Sequence, residues 1–452
     1  MDDGTIAAIS TPLGEGGIGI VRLTGPDAID IAGRLFRSAR GDSLRDAPTH
    51  TLHYGRIVVA DRLIDEALVS VMRAPRTYTR EDVVEINCHG GIVATRAVLD
   101  AVLSGGARMA ERGEFTERAF LNGRISLDQA KAVLDVVRAR TVLGLEAAVD
   151  RLGGRFSSAL DEVRGGLAEV LADLEVEIDY PDLGVDVEAI LPRIDDLSRR
   201  VGRMLAESEQ GRIVREGLTV AIVGRPNVGK SALLNALLAE ARAIVTPIPG
   251  TTRDTVEEES SLAGIPVRWI DTAGLREPGD PVEAEGVLRT QRAIDRSDLV
   301  LCLLDRSEPL AREDREILER PWGVPSILVV NKTDLPDRIG AVSLGSWAER
   351  VDISAKEGDG IDELREAILR LLIGGELPTR NSVLLLDAWE RDLIRRVGES
   401  LRSAAATARA GHSVDMVAED LRHAYRTAGE LQGIDVGESI LDAVFSRFCV
   451  GK

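Results

Sequence analysis

The spacing of apolar residues changes three times along the chain. Over the first ~118 residues short apolar runs alternate in character: 18–23 (IGIVRL) and 83–88 (VVEINC) read as strands, and 92–103 repeats its apolar residues at helical spacing. From about 117 to 212 the pattern is helical almost throughout, broken by the helix-stopping cluster Tyr180-Pro181-Asp182-Leu183-Gly184. An uninterrupted apolar run then opens a new segment at 218–223 (LTVAIV). Further runs follow at 299–304 (LVLCLL) and 326–330 (SILVV), separated by helical stretches. Continuous apolar runs of this length belong to parallel strands buried on both faces. Gly374-Gly375 and Pro378 punctuate the end of this α/β segment, and from Leu384 the spacing is helical again. Helices on both sides of a self-contained α/β unit predict one helical domain carrying an insertion, in preference to two independent bundles.

At 452 residues the chain is too long for one ordinary core, so several domains are expected. With 56 Lys and Arg against 75 Asp and Glu the net charge is −19, which excludes a wholly basic protein that coats nucleic acid. Only 3% of residues are aromatic, too few for broad base-stacking surfaces. An RNA contact must therefore rest on a local basic patch or a partner. The three cysteines, Cys88, Cys302 and Cys449, imply no disulfide framework. The acidic start MDDGTIAAIS does not read as a signal peptide, and no run reaches the roughly 20 apolar residues of a membrane helix. A cytoplasmic protein without a membrane partner is expected.

Five short motifs follow one another in order: GRPNVGKS at 224–231, GTTRD at 250–254, DTAG at 271–274, NKTD at 331–334 and SAK at 354–356. The first lies between a strand and a helical run, the context of a phosphate-binding loop. Its glycines let backbone N–H groups turn toward phosphates, Lys230 reaches for the β- and γ-phosphates, and Ser231 offers a hydroxyl to Mg²⁺. Thr251 or Thr252 suits the second Mg²⁺ position. Asp271 ends an apolar strand and suits the metal through water, and the Gly274 N–H suits the γ-phosphate. Asp334 can accept two N–H bonds from guanine, an arrangement adenine cannot satisfy, and 354–356 can present backbone N–H to the guanine carbonyl. Asn227, Val228, Gly229, Ala232, Thr272, Ala273, Asn331, Lys332, Ser354, Ala355 and Lys356 complete the expected nucleotide contacts. Leu275 stands just after DTAG, where small signalling GTPases carry a water-positioning glutamine. An apolar side chain cannot orient a nucleophilic water, so help must come from elsewhere. Glu277, Glu283 and Glu285 lie near.

These motifs, with AIVTPIPG before GTTRD, VEAEG after DTAG and the terminal FCVGK, resemble the MnmE (TrmE) family of tRNA modification GTPases from end to end. The resemblance implies a multidomain α/β plus α fold. A tetrahydrofolate-binding and dimerising α/β domain would span 1–118, a helical domain 119–212 and 378–452, and an inserted Ras-like G domain 213–377. It implies a potassium-dependent GTPase in which Asn227, Thr246, Ile248 and Thr251 cage K⁺. Thr252 would join Ser231 on Mg²⁺, and Glu283 would act on the attacking water. A monovalent cation beside the phosphates neutralises developing charge, as an arginine finger does elsewhere. The resemblance also implies a homodimer, an FAD-containing MnmG-like partner, and a tetrahydrofolate derivative (5-formyl or methylene) as one-carbon donor. The reaction implied is modification of the wobble uridine of tRNA at carbon 5.

In the N-terminal part, 14–19 spells GxGxxG but leads into the strand-like IVRL, which fails the context of a dinucleotide site. Alternation puts Arg22 on one face with Ile18 and Ile20, and Glu85 opposite Val84 and Ile86. The resemblance makes Arg22, Glu85, Arg124 and Lys452 the folate-binding set, with Glu81 the less well matched carboxylate. Cys302 sits inside an apolar run and reads as core. Cys88 lacks the paired cysteines of a zinc site. The resemblance places Cys449 near the folate, open between a catalytic and a structural role. The rival from another class is a ribosome-assembly GTPase, a binding switch that shares the five motifs but lacks the folate-like segment and the FCVGK tail.

Overall fold

The computed structural model describes residues 4–180, 187–238, 257–271, 296–340, 347–374, 377–434 and 437–451. The chain groups into two compact units. The first takes 1–134, 152–165 and 425–452, and the second takes 135–151 and 166–424.

The first unit is built on a seven-stranded sheet in the order β3-β4-β5-β6-β2-β1-β7 among the described residues. The strands are β1 (Ile6–Ile9), β2 (Ile18–Thr24), β3 (Phe36–Ser38), β4 (Thr51–Val59), β5 (Arg62–Met72), β6 (Val83–His89) and β7 (Arg108–Met109). Period-two alternation sends Val21, Leu23, Val69, Val71, Val84 and Ile86 to one face. There they join Ile31, Val98 and Val102 of the helices Ala28–Leu35 and Ile92–Ser104 in one core. The same alternation turns Arg22 and Glu85 to the other face. They are direct cross-strand partners in the antiparallel β2–β6 register. The helix Glu438–Phe445 returns to this unit, and Phe445 and Phe448 close a small core with Leu127, Ala130 and Leu134.

The second unit holds a six-stranded sheet in the order β13-β12-β11-β8-β10-β9. Its strands are β8 (Leu218–Val223), β9 (Glu257–Leu262), β10 (Ile265–Asp271), β11 (Leu299–Asp305), β12 (Ser326–Asn331) and β13 (Glu349–Asp352). All its pairings are parallel except β9–β10. Every residue of β11 and β12 is buried, as their uninterrupted apolar runs require. Helices Lys230–Leu238 and Ile361–Ile373 cover one face, and Ile339 and Trp347 contribute to the core on the other. Because the central strands run parallel, the loops after β8, β12 and β13 leave the same edge of the sheet. The crevice at the carboxyl ends of such strands is the standard ligand position of α/β folds.

The long helices Val187–Glu216 and Ala388–Arg409 pack side by side in this unit. Between 135 and 151 and the start of the second helix lies a buried charge cluster. Arg151 bonds Asp135 at 3.1 Å and Glu390 at 2.7 Å and also donates to the Leu385 carbonyl. Arg215 Nε holds the other Asp135 oxygen at 3.1 Å. The helix Arg155–Asp179 ends at the start of the stop cluster expected at 180–184, whose residues 181–184 lie outside the described residues. Strands and helix expected from periodicity are observed within one residue, and most run one residue further at the carboxyl end. Thr24, His89, Asp305 and Asn331 are polar, so they end the apolar pattern without ending the ladder.

Candidate functional sites

The loop 224–229 leaves β8 and enters the helix Lys230–Leu238. Its geometry suits an anion. Gly229 has φ +100° and its Cα faces Asn331, so an added Cβ would stand 2.3 Å from the Asn331 Nδ2. Asn227 also holds a positive φ of 65°, a conformation asparagine tolerates better than most residues. Lys230 Nζ folds back onto the carbonyls of Gly224 at 2.7 Å and Arg225 at 2.8 Å. An incoming phosphate competes with those two carbonyls and offers charge in return. Ser231 is exposed on the first helical turn, where a hydroxyl can face a metal bound to phosphate. Val228 is buried and Ala232 exposed.

The loops at 331–334 and 354–356 meet the 224–229 loop through specific bonds. Asn331 Nδ2 donates to the Val228 carbonyl at 2.8 Å, and its Oδ1 accepts from the Ala355 N–H at 3.0 Å. One side chain thus joins the loops at 224–229, 331–334 and 354–356. Ser354, fully buried, donates its hydroxyl to Asp334 Oδ1 at 2.7 Å and accepts from the Glu357 N–H at 3.2 Å. Asp334 itself is exposed, one oxygen fixed and the carboxylate open to a ligand. A carboxylate so held can take two parallel N–H bonds from the edge of guanine. Lys356 is exposed, and its ammonium pKa is raised by a hydrogen bond to Glu357.

Sequence reasoning missed one member of this site. Asp305, at the end of β11, accepts from Lys332 Nζ at 2.5 Å and from the Ser307 hydroxyl and N–H at 2.6 and 2.8 Å. Burial raises its carboxyl pKa, but Lys332 and Ser307 outweigh burial and the net shift is downward. The available signal was an aspartate closing an apolar run, the feature that had singled out Asp271.

Thr246, Ile248, Thr251, Thr252, Thr272, Ala273, Gly274 and Glu283 lie outside the described residues, as does Lys452. Asp271 is the last residue of β10, which runs parallel to β8 with Asp271 opposite Ile222, close to the phosphate loop in register. The described donors, Ser231 and the Asn227 loop, fit a metal-nucleotide complex but are only part of the expected Mg²⁺ and K⁺ sets.

In the first unit the cross-strand pair is joined by the C-terminal tail. Arg22 Nε donates to Glu85 Oε1 at 2.8 Å, and its Nη1 to the Gly451 carbonyl at 3.3 Å. The Ser10 hydroxyl donates to the same carbonyl at 3.2 Å, and Val450 bridges to Arg112. The tail approaches so closely that a Cβ on Gly451, at φ +97°, would lie 2.4 Å from the Ile9 carbonyl oxygen. Phe115 lies under the Arg22 guanidinium at 5.8 Å and belongs to a small core with Ile6, Ala8 and Tyr78. Arg124 stacks on the other aromatic ring there, Tyr78, at 4.9 Å. Arg22, Glu85 and Arg124 therefore flank one aromatic-bearing core, with a carboxylate and cations of the kind a pterin and a glutamyl tail need. Glu81 is engaged by Arg118 at 3.1 Å and by the Thr24 hydroxyl at 2.9 Å.

Cys449 is exposed, between the buried Phe448 and the docked Gly451. Cys302 is buried in the sheet core, where burial pushes its thiol pKa up. Cys88 is also buried, its thiol raised to about 11 chiefly by burial, and its Sγ donates to the Gly19 carbonyl at 3.3 Å. Gly14 and Gly16, before β2, and Gly19 within it bound, with Gly90, Gly91 and Thr95, a cleft of about 280 Å³. No helix follows them, so the dinucleotide arrangement is absent there.

A family model described as the MnmE helical domain matches residues 127–449, and one described as the GTP-binding protein TrmE N-terminus matches residues 5–124. The tRNA modification GTPase MnmE of Geobacillus kaustophilus (strain HTA426) is 49% identical over 458 residues, covering 99% of each chain. The protein of that name from Bacillus subtilis (strain 168) is 44% identical over 458 residues, covering 99% of this chain and 100% of its own. Among solved structures, Aquifex aeolicus Era bound to GDP.AlF4- aligns over 40% of this chain and 66% of its own at 30% identity, with a TM-score of 0.28.

Proposed function

The chain belongs to the MnmE family of tRNA modification GTPases, and from that premise we propose that it is a potassium-dependent GTPase acting on the wobble uridine of tRNA. It hydrolyses GTP with Mg²⁺ in the service of tRNA modification. In our reading it works as a homodimer with an FAD-containing MnmG-like partner. A tetrahydrofolate derivative supplies the one-carbon unit for a carboxymethylaminomethyl-type group at carbon 5. The division into an N-terminal domain at 1–118, a helical domain at 119–212 and 378–452, and an inserted G domain at 213–377 is part of the same reading.

One observation supports the base chemistry over a ribosome-assembly switch: Glu85 and the tail carbonyl of Gly451 converge on Arg22. A simple binding switch has no use for a tail docked at a charged pair in a unit that does not hold its nucleotide loops. In the cycle we propose, Asp334 and the 354–356 loop select guanine, and Asn331 keeps that selection in register with the phosphate loop. Lys230 leaves the Gly224 and Arg225 carbonyls for the phosphates. Bound Mg²⁺ and K⁺ would neutralise negative charge on the transferring phosphoryl group. Glu283 orders the attacking water, since Leu275 cannot, and Asn227, Thr246, Ile248 and Thr251 hold the potassium. Lys452 and Arg124 bind the folate with Arg22 and Glu85, and Cys449 is the candidate for chemistry there.

Two measurements test the reading. GTP turnover in 100 mM-scale KCl should exceed that in NaCl at least tenfold, and equal rates would remove potassium from the mechanism. Mass spectrometry of tRNA nucleosides from a deletion strain should show loss of the 5-substituted wobble uridine. An unchanged nucleoside profile with defective ribosomal subunits would favour the assembly switch instead.

A further inference from the structure

Asp305 belongs to none of the five nucleotide motifs, and its position is unusual for a charge. Its side chain is only 2% exposed, at the carboxyl end of a strand whose other residues are apolar. A buried carboxylate is costly unless paired and hydrogen-bonded. Here it takes the Lys332 ammonium at 2.5 Å on one oxygen and the Ser307 hydroxyl and N–H on the other. That same ammonium donates to the Asn227 carbonyl at 3.2 Å. Lys332 lies in the base-reading loop and Asn227 in the phosphate loop, and both hold positive φ, 68° and 65°. One cation therefore spans two loops whose backbones occupy a narrow conformational region.

A lysine ammonium is a point charge on a flexible four-carbon stem, so its place is set by its partners. Asn227 offers a neutral carbonyl at 3.2 Å, and Asp305 offers a charge at 2.5 Å from a buried side chain. The charged contact is the stronger of the two. We propose that Asp305 is a positioning residue for nucleotide binding: it fixes Lys332 across the two loops, so that the base and phosphate sites are in register before GTP arrives. The claim rests on the GTPase reading and not on potassium. Its effect belongs to nucleotide residence, since preorganised loops need not be ordered at binding. Base choice stays with Asp334, which Ser354 holds independently. The parallel tie from Asn331 to Val228 survives without Asp305, so the effect is partial.

A double-mutant cycle on the full-length protein with Mg²⁺ tests this. Dissociation of a fluorescent GDP is followed by stopped flow for the parent, Asp305→Asn, Lys332→Met and the double variant. Asp305→Asn should speed dissociation about tenfold, about 1.4 kcal/mol, with preference for GTP over ITP unchanged. In the Lys332→Met background the second substitution should add less than about twofold, because the group it acts through is gone. A dissociation rate within about twofold of the parent, or effects that multiply in the double variant, would overturn the proposal. Should Asp305→Asn melt below the assay temperature, Asp305→Glu takes its place in the cycle with the same criterion for non-additivity. Measured GDP binding by the parent protein separates failure of this proposal from failure of the GTPase reading.

Discussion

Replacing Arg151 by methionine should destabilise the second unit by about 3–5 kcal/mol, the usual result of removing one partner from a buried ion cluster. The structure gives the reason for expecting that range. Arg151, Asp135 and Glu390 have side chains only 1%, 4% and 2% exposed, so water cannot replace the guanidinium. Its loss leaves Glu390 without its 2.7 Å partner, removes one donor from the Leu385 carbonyl, and leaves Asp135 to Arg215. The carbonyl adds little separately, since its loss of about 1–3 kcal/mol belongs to the same desolvated site. The effect should also depend on pH in a stated direction. Burial is the largest influence on the Asp135 carboxyl and raises its pKa against the pull of Arg151 and Arg215. A carboxyl raised in the folded state contributes stability that is present below its unfolded pKa and lost as pH rises through its folded pKa. Removing Arg151 raises it further, so the variant's deficit should be largest near neutral pH and shrink on acidification. All four tryptophans, Trp269, Trp322, Trp347 and Trp389, lie in the second unit, so urea denaturation followed by tryptophan fluorescence reports on it. A deficit below about 1 kcal/mol at neutral pH, or one that grows toward acid, would refute the reasoning.

Two further outcomes follow from the sites themselves. Asp334→Asn should weaken GTP binding by about 3 kcal/mol or more and turn preference toward xanthine nucleotides, since two charge-assisted bonds are exchanged for a mismatched amide; unchanged selectivity in competition binding would remove Asp334 from base reading. Gly451→Ala asks a side chain to enter at φ +97° within 2.4 Å of the Ile9 carbonyl oxygen, so the tail should leave Arg22. Binding of 5-formyltetrahydrofolate, read by calorimetry, should weaken at least about tenfold, given strain of about 1–3 kcal/mol; parent-like affinity would separate the tail from the folate site.

Much of this protein was legible before its structure. The strands at 18–23, 218–223, 299–304 and 326–330 were found because burial on one or both faces writes a period into the chain. The nucleotide loops were legible because close backbone approach to phosphate and guanine restricts residue types. Asp305 escaped because a single carboxylate at a strand end carries no period, and its meaning depends on Lys332, 27 residues away. Arg151 escaped for a similar reason. Its partners at 135, 385 and 390 share no local pattern with it, and an arginine in a charged helix reads as surface. The resemblance brought only Lys452 and Cys449 toward the folate set; the docking of Gly451 beside Ile9 was not legible, since contacts across more than 400 residues leave no local trace.

The separation between Arg22 and Gly451, 429 positions, also sets a schedule for biosynthesis. Strands β1 to β7 leave the ribosome early and can pair with one another at once. From Met109, where the last of these strands ends, to Gly451 is 342 positions (451 − 109), so at about 5–20 residues per second the tail follows roughly 17–70 s later. During that interval the nascent protein has a finished sheet whose Arg22 and Glu85 lack their last neighbour. The site we propose for folate is thus completed only when the segment around Gly451 emerges, after the G-domain sheet.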